Sequence, residues 1–172
     1  MNNMLSPIDV LNIAIRQEIE GELFYRLSAE KTEDIDLRVL LSRLAEDEKK
    51  HVFIFKSLLN NLQQKDDLKF DFDEETQKYF AVLVNALFPS EDSEMEKIIE
   101  EHKSILDVLL FALQKEKEAL HLYSELNERA LDGETKNTLT AIIKEERDHF
   151  FSLSSEYQNR TNKLIEQMRE DQ

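Results

Sequence analysis

Apolar residues recur three and four positions apart through four long stretches of the chain, about 7–31, 35–63, 104–131 and 135–168, which is the spacing of a buried stripe on an α-helix. The first stripe reads Leu11, Ala14, Glu18, Gly21, Tyr25, Ser28, and the second Leu41, Leu44, Glu48, His51, Phe55, Leu58, Leu62. The third reads Leu109, Ala112, Glu116, Ala119, Tyr123, Leu126, and the fourth Leu139, Ile142, Glu146, His149, Leu153. One carboxylate interrupts every stripe near its middle. Breakers divide the stretches: Ser6-Pro7 as a helix start, Thr32 to Asp36 as a turn with capping residues, and Asp132-Gly133 as a second turn.

These features predict antiparallel hairpins over 7–63 and 104–168, joined by a crossover over 64–103, all within one domain spanning 1–172. A crossover of that length needs structure of its own, and Glu74 to Phe88 reads as a short amphipathic helix before a break at Pro89-Ser90. The expected fold is all-α, a four-helix bundle of the ferritin-like pattern, because two hairpins with one long connection differ from a simple up-down bundle.

Composition narrows the reading. Average usage would supply roughly 20 Gly and Pro residues in a chain this long, against 2 Gly and 2 Pro here, so a turn-rich sheet protein is excluded. The net charge of −15 argues against nucleic acid as a partner. The longest apolar run is six residues, Val108 to Leu113, far short of the roughly 18 that a membrane span needs. The first residues show no secretion signal, so a cytoplasmic location is expected. With no cysteine, only His and carboxylates remain as strong metal ligands, and two glycines cannot build a phosphate loop.

The halves repeat at an offset of 98 residues without a gap: Ala14 maps onto Ala112, Glu18 onto Glu116, Tyr25 onto Tyr123, Glu48 onto Glu146, His51 onto His149 and Phe53 onto Phe151. Glu18 and Glu48 each lie 15 residues from a turn near 33, and Glu116 and Glu146 each lie 15 residues from 131. In antiparallel hairpins all four carboxylates, with His51 and His149, therefore meet in one layer. Each buried carboxylate costs several kcal/mol in desolvation, and no Lys or Arg occupies a central stripe position. Protonation could relieve the charge but gives no reason for the two His. Two divalent cations neutralise four carboxylates, and one Glu from each of two helices plus Glu-x-x-His from the other two is the di-metal carboxylate pattern.

Gly21 and Ala119 follow the lone carboxylates by one turn and leave space beside them. Tyr25 and Tyr123 lie seven residues past Glu18 and Glu116, and helical side chains lean toward the N-terminus, so both phenols can reach ligand carboxylates or simply pack. Glu-x-x-His should occur about 0.5 times by chance in such a composition and occurs three times. The third instance, Glu118 and His121, is off the stripe and reads as solvated surface, as does His102. Phe53, Phe55, Phe150 and Phe151 read as core or subunit contact.

The runs from Glu18 to Tyr25, Leu44 to His51, Glu116 to Tyr123 and Glu146 to His149 resemble the rubrerythrin di-iron domain of the ferritin-like superfamily. That resemblance implies Glu18, Glu48, His51, Glu116, Glu146 and His149 as ligands of two iron ions, with Glu48 and Glu146 bridging; manganese or zinc stay open as the native metal. It implies an oxidoreductase reducing peroxide or dioxygen. It also implies a homodimer, with Phe70, Phe72 and Phe80 in or beside the crossover as candidate contacts. The chain has none of the four cysteines of a rubredoxin module, so electrons would come from a separate donor such as a rubredoxin. Ala119 stands where peroxidase members carry an additional ligand Glu, which implies slower peroxide turnover. The alternatives are an iron-binding or ferroxidase protein like bacterioferritin, and a metal-free helical interaction module.

Overall fold

Helix α1 (Pro7–Lys31) starts at a capping box: the Asp9 amide donates to Ser6 Oγ at 3.3 Å and the Ser6 amide donates to the Asp9 carboxylate at 2.7 Å. In this computed structural model, which describes residues 6–65, 70–86, 92–102 and 104–170, the same box recurs 98 residues on, where Ser104 and Asp107 open α5 (Ile105–Arg129). Helices α2 (Ile35–Lys65) and α6 (Gly133–Glu170) start under an Asp whose carboxylate accepts an amide three residues on, Asp34 from Leu37 at 2.9 Å and Asp132 from Thr135 at 2.7 Å. The internal repeat thus extends to the signals that start each helix. Both hairpins turn where expected and form the four-helix bundle; among the described residues the only strand-like feature is the bridge between Phe70 and Ala130.

The crossover holds two helices where the sequence reading expected one. Helix α3 (Glu74–Ala86) matches the expected element, while Phe88, Pro89 and Ser90 lie outside the described residues. Helix α4 (Asp92–Glu101) was not anticipated, because ten residues with apolar side chains only at Met95, Ile98 and Ile99 give under three turns of periodicity. Its Met95 and Ile99 are buried against α1 at the end carrying Leu23, Phe24 and Leu27. The start of the crossover is tied to the end of α5: the Asp71 amide donates to the Arg129 carbonyl at 3.0 Å and Arg129 pairs with Asp73 at 2.8 Å. Phe80 is fully buried and so is not a spare contact for a second subunit, while Phe70 and Phe72 are half-buried and pack on the core.

Every stripe position is buried except Gly21 and Leu62, which are half-buried. Each fully buried Leu, Ile or Phe contributes about 1.5–3 kcal/mol. The apolar side chains form two clusters, one around Val10 to Ile15, Phe55, Leu122 and Ile142, the other around Leu23 to Leu27, Leu41, Leu44 and Leu109. Between them lies the level of Glu18, Glu48, Glu116 and Glu146. No helix among the described residues is long and apolar enough to cross a membrane.

Candidate metal centre

The carboxylate level is a six-residue constellation buried to 5% exposure or less. Ligand atoms of Glu18, Glu48, His51 and Glu146 lie within 4.8 Å of one another, and so do those of Glu48, Glu116, Glu146 and His149. Glu48 and Glu146 belong to both groups, one from each hairpin. The Nδ1 atom of His51 lies 3.3 Å from Glu18 and 2.9 Å from Glu146; that of His149 lies 3.3 Å from Glu48 and 3.2 Å from Glu146. The ring centroids are 5.8 Å apart.

The outer nitrogens of both rings meet carboxylates of the neighbouring hairpin: His51 Nε2 lies 3.0 Å from Glu145, and His149 Nε2 lies 3.5 Å from Asp47. An Nε2 proton held by such a carboxylate leaves the Nδ1 lone pair turned inward, which is the tautomer a metal ligand needs. Sequence reasoning missed Asp47 and Glu145, although they too are related by the 98-residue offset, each directly before a Glu of the shared pair.

The tyrosines cross between halves. Tyr25 donates to Glu116 Oε1 and Tyr123 donates to Glu18 Oε1, so each phenol steadies the lone carboxylate of the other hairpin. Burial pushes both phenols well above their ordinary pKa, with the charge of the accepted carboxylate adding to it.

Without cations, burial and neighbouring charge favour protons on the lone carboxylates and on the two imidazoles. Burial, then the charge of Glu48, holds the Glu18 carboxyl well above the usual range; burial, then Glu146 and Glu48, does the same to Glu116. Burial disfavours the His149 cation, but hydrogen bonds to Glu146 and Glu48 outweigh it and push the ring up to about 11; His51 is raised by the same balance. Burial opposes ionisation of Glu48 as well, yet hydrogen bonds from Glu18 and both His hold it below the carboxylate range.

The donor set fits metal. Glu18 Oε2, Glu116 Oε2, Glu146 Oε1 and His51 Nδ1 are buried with no well-aligned hydrogen bond, although His51 Nδ1 stands 2.9 Å from Glu146 Oε1, and a buried polar group left poorly satisfied costs about 1–3 kcal/mol. Coordination by cations satisfies all four. Imidazole with carboxylate suits iron, manganese and zinc. Glu48 packs directly over Gly21, where an added Cβ would meet its Cδ at 3.4 Å. A narrow cleft of about 30 Å³ runs between α1 and α5 to the carboxylates, past Gly21 and Ala119.

The remaining candidates lie elsewhere. Glu118 turns from the layer to Lys115 at 2.8 Å and Gln114 at 3.0 Å, and His121 is exposed, its ring 4.6 Å from that of Tyr79. His102 is not the free surface residue expected: half-buried, it donates from Nδ1 to the Ile98 carbonyl at 2.6 Å and packs against Phe111. Phe55 is core, Phe150 is half-buried, and Phe53 and Phe151 are exposed on α2 and α6.

A family model described as rubrerythrin matches residues 9–157. Two solved structures superpose over nearly the whole chain. One is described as a ferritin-like diiron-carboxylate protein from Thermotoga maritima, with TM-score 0.69 and 24% identity over 92% of this chain and 98% of that one. The other is a hypothetical protein from Pyrococcus furiosus, with TM-score 0.67 and 27% identity over 92% of each chain. No curated protein matches.

Proposed function

The chain belongs to the rubrerythrin family, and from that membership we propose that it is a di-iron oxidoreductase that reduces hydrogen peroxide or dioxygen with electrons from a separate donor protein such as a rubredoxin. The observation that carries this reading is the single buried layer in which two overlapping groups of carboxylate and imidazole donors share Glu48 and Glu146. Glu18 and His51 would hold one ion, Glu116 and His149 the other, with Glu48 and Glu146 between them. Bound there as a ferrous pair, iron would supply the two electrons that, with two protons, take peroxide to two waters or dioxygen to peroxide.

The chain's own residues do the rest. Asp47 and Glu145 fix the imidazoles from outside the layer. Tyr25 and Tyr123 hold one oxygen of each lone carboxylate and leave the other for the metal. The apolar clusters above and below keep bulk water out, strengthening every charge interaction within. Ala119 supplies no further carboxylate, so peroxide turnover is expected to be slower than in relatives with a Glu there. A homodimer in the cytoplasm belongs to the same reading; a monomer in light scattering at micromolar concentration removes the dimer.

Anaerobic stopped-flow of the iron-loaded, reduced protein tests the reading. Mixing with peroxide or dioxygen should oxidise the site by two electrons, and turnover should require added rubredoxin. No spectral change with either oxidant over minutes would remove the oxidoreductase and leave an iron-binding protein like bacterioferritin.

A further inference from the structure

The 98-residue repeat holds at the six candidate ligands, at both phenols and at the acids behind the imidazoles, but it breaks at Lys50, whose counterpart is Asp148. The break touches the partner of one imidazole only. Asp47, whose Oδ2 lies 3.5 Å from His149 Nε2, receives the Lys50 ammonium on Oδ1 at 2.6 Å. Glu145 lies 3.0 Å from His51 Nε2, has an acid three residues on instead of a cation, and among the described residues forms no ion pair with Lys or Arg. The Lys50 charge reaches Glu145 as well, but more weakly than Asp47, which it touches. Glu145 is the more exposed carboxylate, 52% against 22%, so water trims its effect on the ring. Exposure does not reverse the order, because only the His51 distance falls within the ordinary N–H···O range of about 2.7–3.2 Å.

We propose that Lys50 makes the two metal positions unequal: it shares Asp47 with His149, while Glu145 stays committed to His51. A carboxylate that accepts from the outer nitrogen of a ligating imidazole makes the inner nitrogen a stronger donor, and such partners are worth about 10–100-fold in metal affinity. The position of Glu18 and His51 is therefore the tighter and fills first, and that of Glu116 and His149 fills second. Glu48 and Glu146 do not create this order, since each belongs to both donor groups. Lys50 is exposed and acts through Asp47, as a positioning residue. The inference rests on the di-iron reading above and says which ion that site holds more firmly.

Mössbauer spectra of frozen anaerobic samples read the order of filling. Metal-free wild-type, Lys50→Met, Glu145→Gln and Lys49→Met proteins receive first one and then two equivalents of isotopically enriched ferrous iron, with iron content measured on the same samples. Two equivalents should give two quadrupole doublets of equal area in wild type, and one equivalent should favour one doublet by about tenfold, the low end of the effect of an outer partner. Methionine keeps the length of Lys50 and removes its charge, so in Lys50→Met the one-equivalent preference should fall from about tenfold toward equal filling. Glu145→Gln weakens the partner of His51 and should lower the preference too, whereas Lys49→Met, at an exposed neighbouring position, should keep it. A preference in Lys50→Met equal to that of wild type overturns the inference, as do wild-type doublets that fill in parallel. Wild-type protein that takes up no iron fails earlier and removes the di-iron reading with it.

Discussion

Substitution at Gly21 separates what the fold needs from what the site needs. Gly21 lies inside a 25-residue helix, where glycine costs about 0.5–1 kcal/mol relative to alanine. Its backbone gives no reason for glycine, but a Cβ there would touch Glu48 Cδ and Cγ at 3.4 Å. That is ordinary van der Waals contact, so Gly21→Ala should fit and recover the propensity. At about 2–4 °C per kcal/mol for a domain of this size, the metal-free protein should melt about 1–4 °C higher and still bind metal. Gly21→Leu adds three further carbons beside a carboxylate already in contact, and a cleft of about 30 Å³ cannot take them without moving Glu48. Overpacking costs about 1–3 kcal/mol, so this variant should fold by circular dichroism yet lose metal. Thermal melts of metal-free and loaded protein, with metal content by elemental analysis, read both effects. A Leu variant holding two ions with wild-type affinity would show that Glu48 is not where the metal binds.

Glu48→Ala and His149→Ala should abolish metal uptake, whereas Glu118→Ala and His121→Ala should leave elemental content unchanged, because those side chains face Lys115 and Tyr79. Tyr25→Phe strands a buried oxygen of Glu116, which should destabilise the metal-free protein by about 1–3 kcal/mol in urea unfolding; an unchanged midpoint contradicts the bond. His149, raised from 6.5 to about 11 in the metal-free fold, contributes stability that is complete below 6.5 and is lost as pH rises toward 11. The metal-free melting temperature should therefore fall between about pH 7 and pH 9, while cation binding, which displaces the protons, strengthens over the same range. A metal-free melting temperature that climbs there contradicts the assignment.

The bundle was legible in the sequence because helical stripes and caps are local signals: the positions of Glu18, Glu48, Glu116 and Glu146 along their hairpins were enough to place them at one level. The crossover was only half legible. Helix α4 is too short to show a period, and Phe70, Phe72 and Phe80 look spare until the chain folds back onto the end of α5. The roles of Asp47 and Glu145 depend on the neighbouring hairpin, and no spacing within one helix reports them. His102 likewise acquires its partner only at the end of α4.

Anaerobic titration of the metal-free protein with ferrous iron, followed by elemental analysis and Mössbauer spectroscopy, tests the central claim most directly. Two ferrous ions per chain in oxygen- and nitrogen-rich coordination, both lost in Glu48→Ala, are expected from a layer that shares Glu48 between two donor groups. One ion per chain, or two that persist in Glu48→Ala, contradicts it.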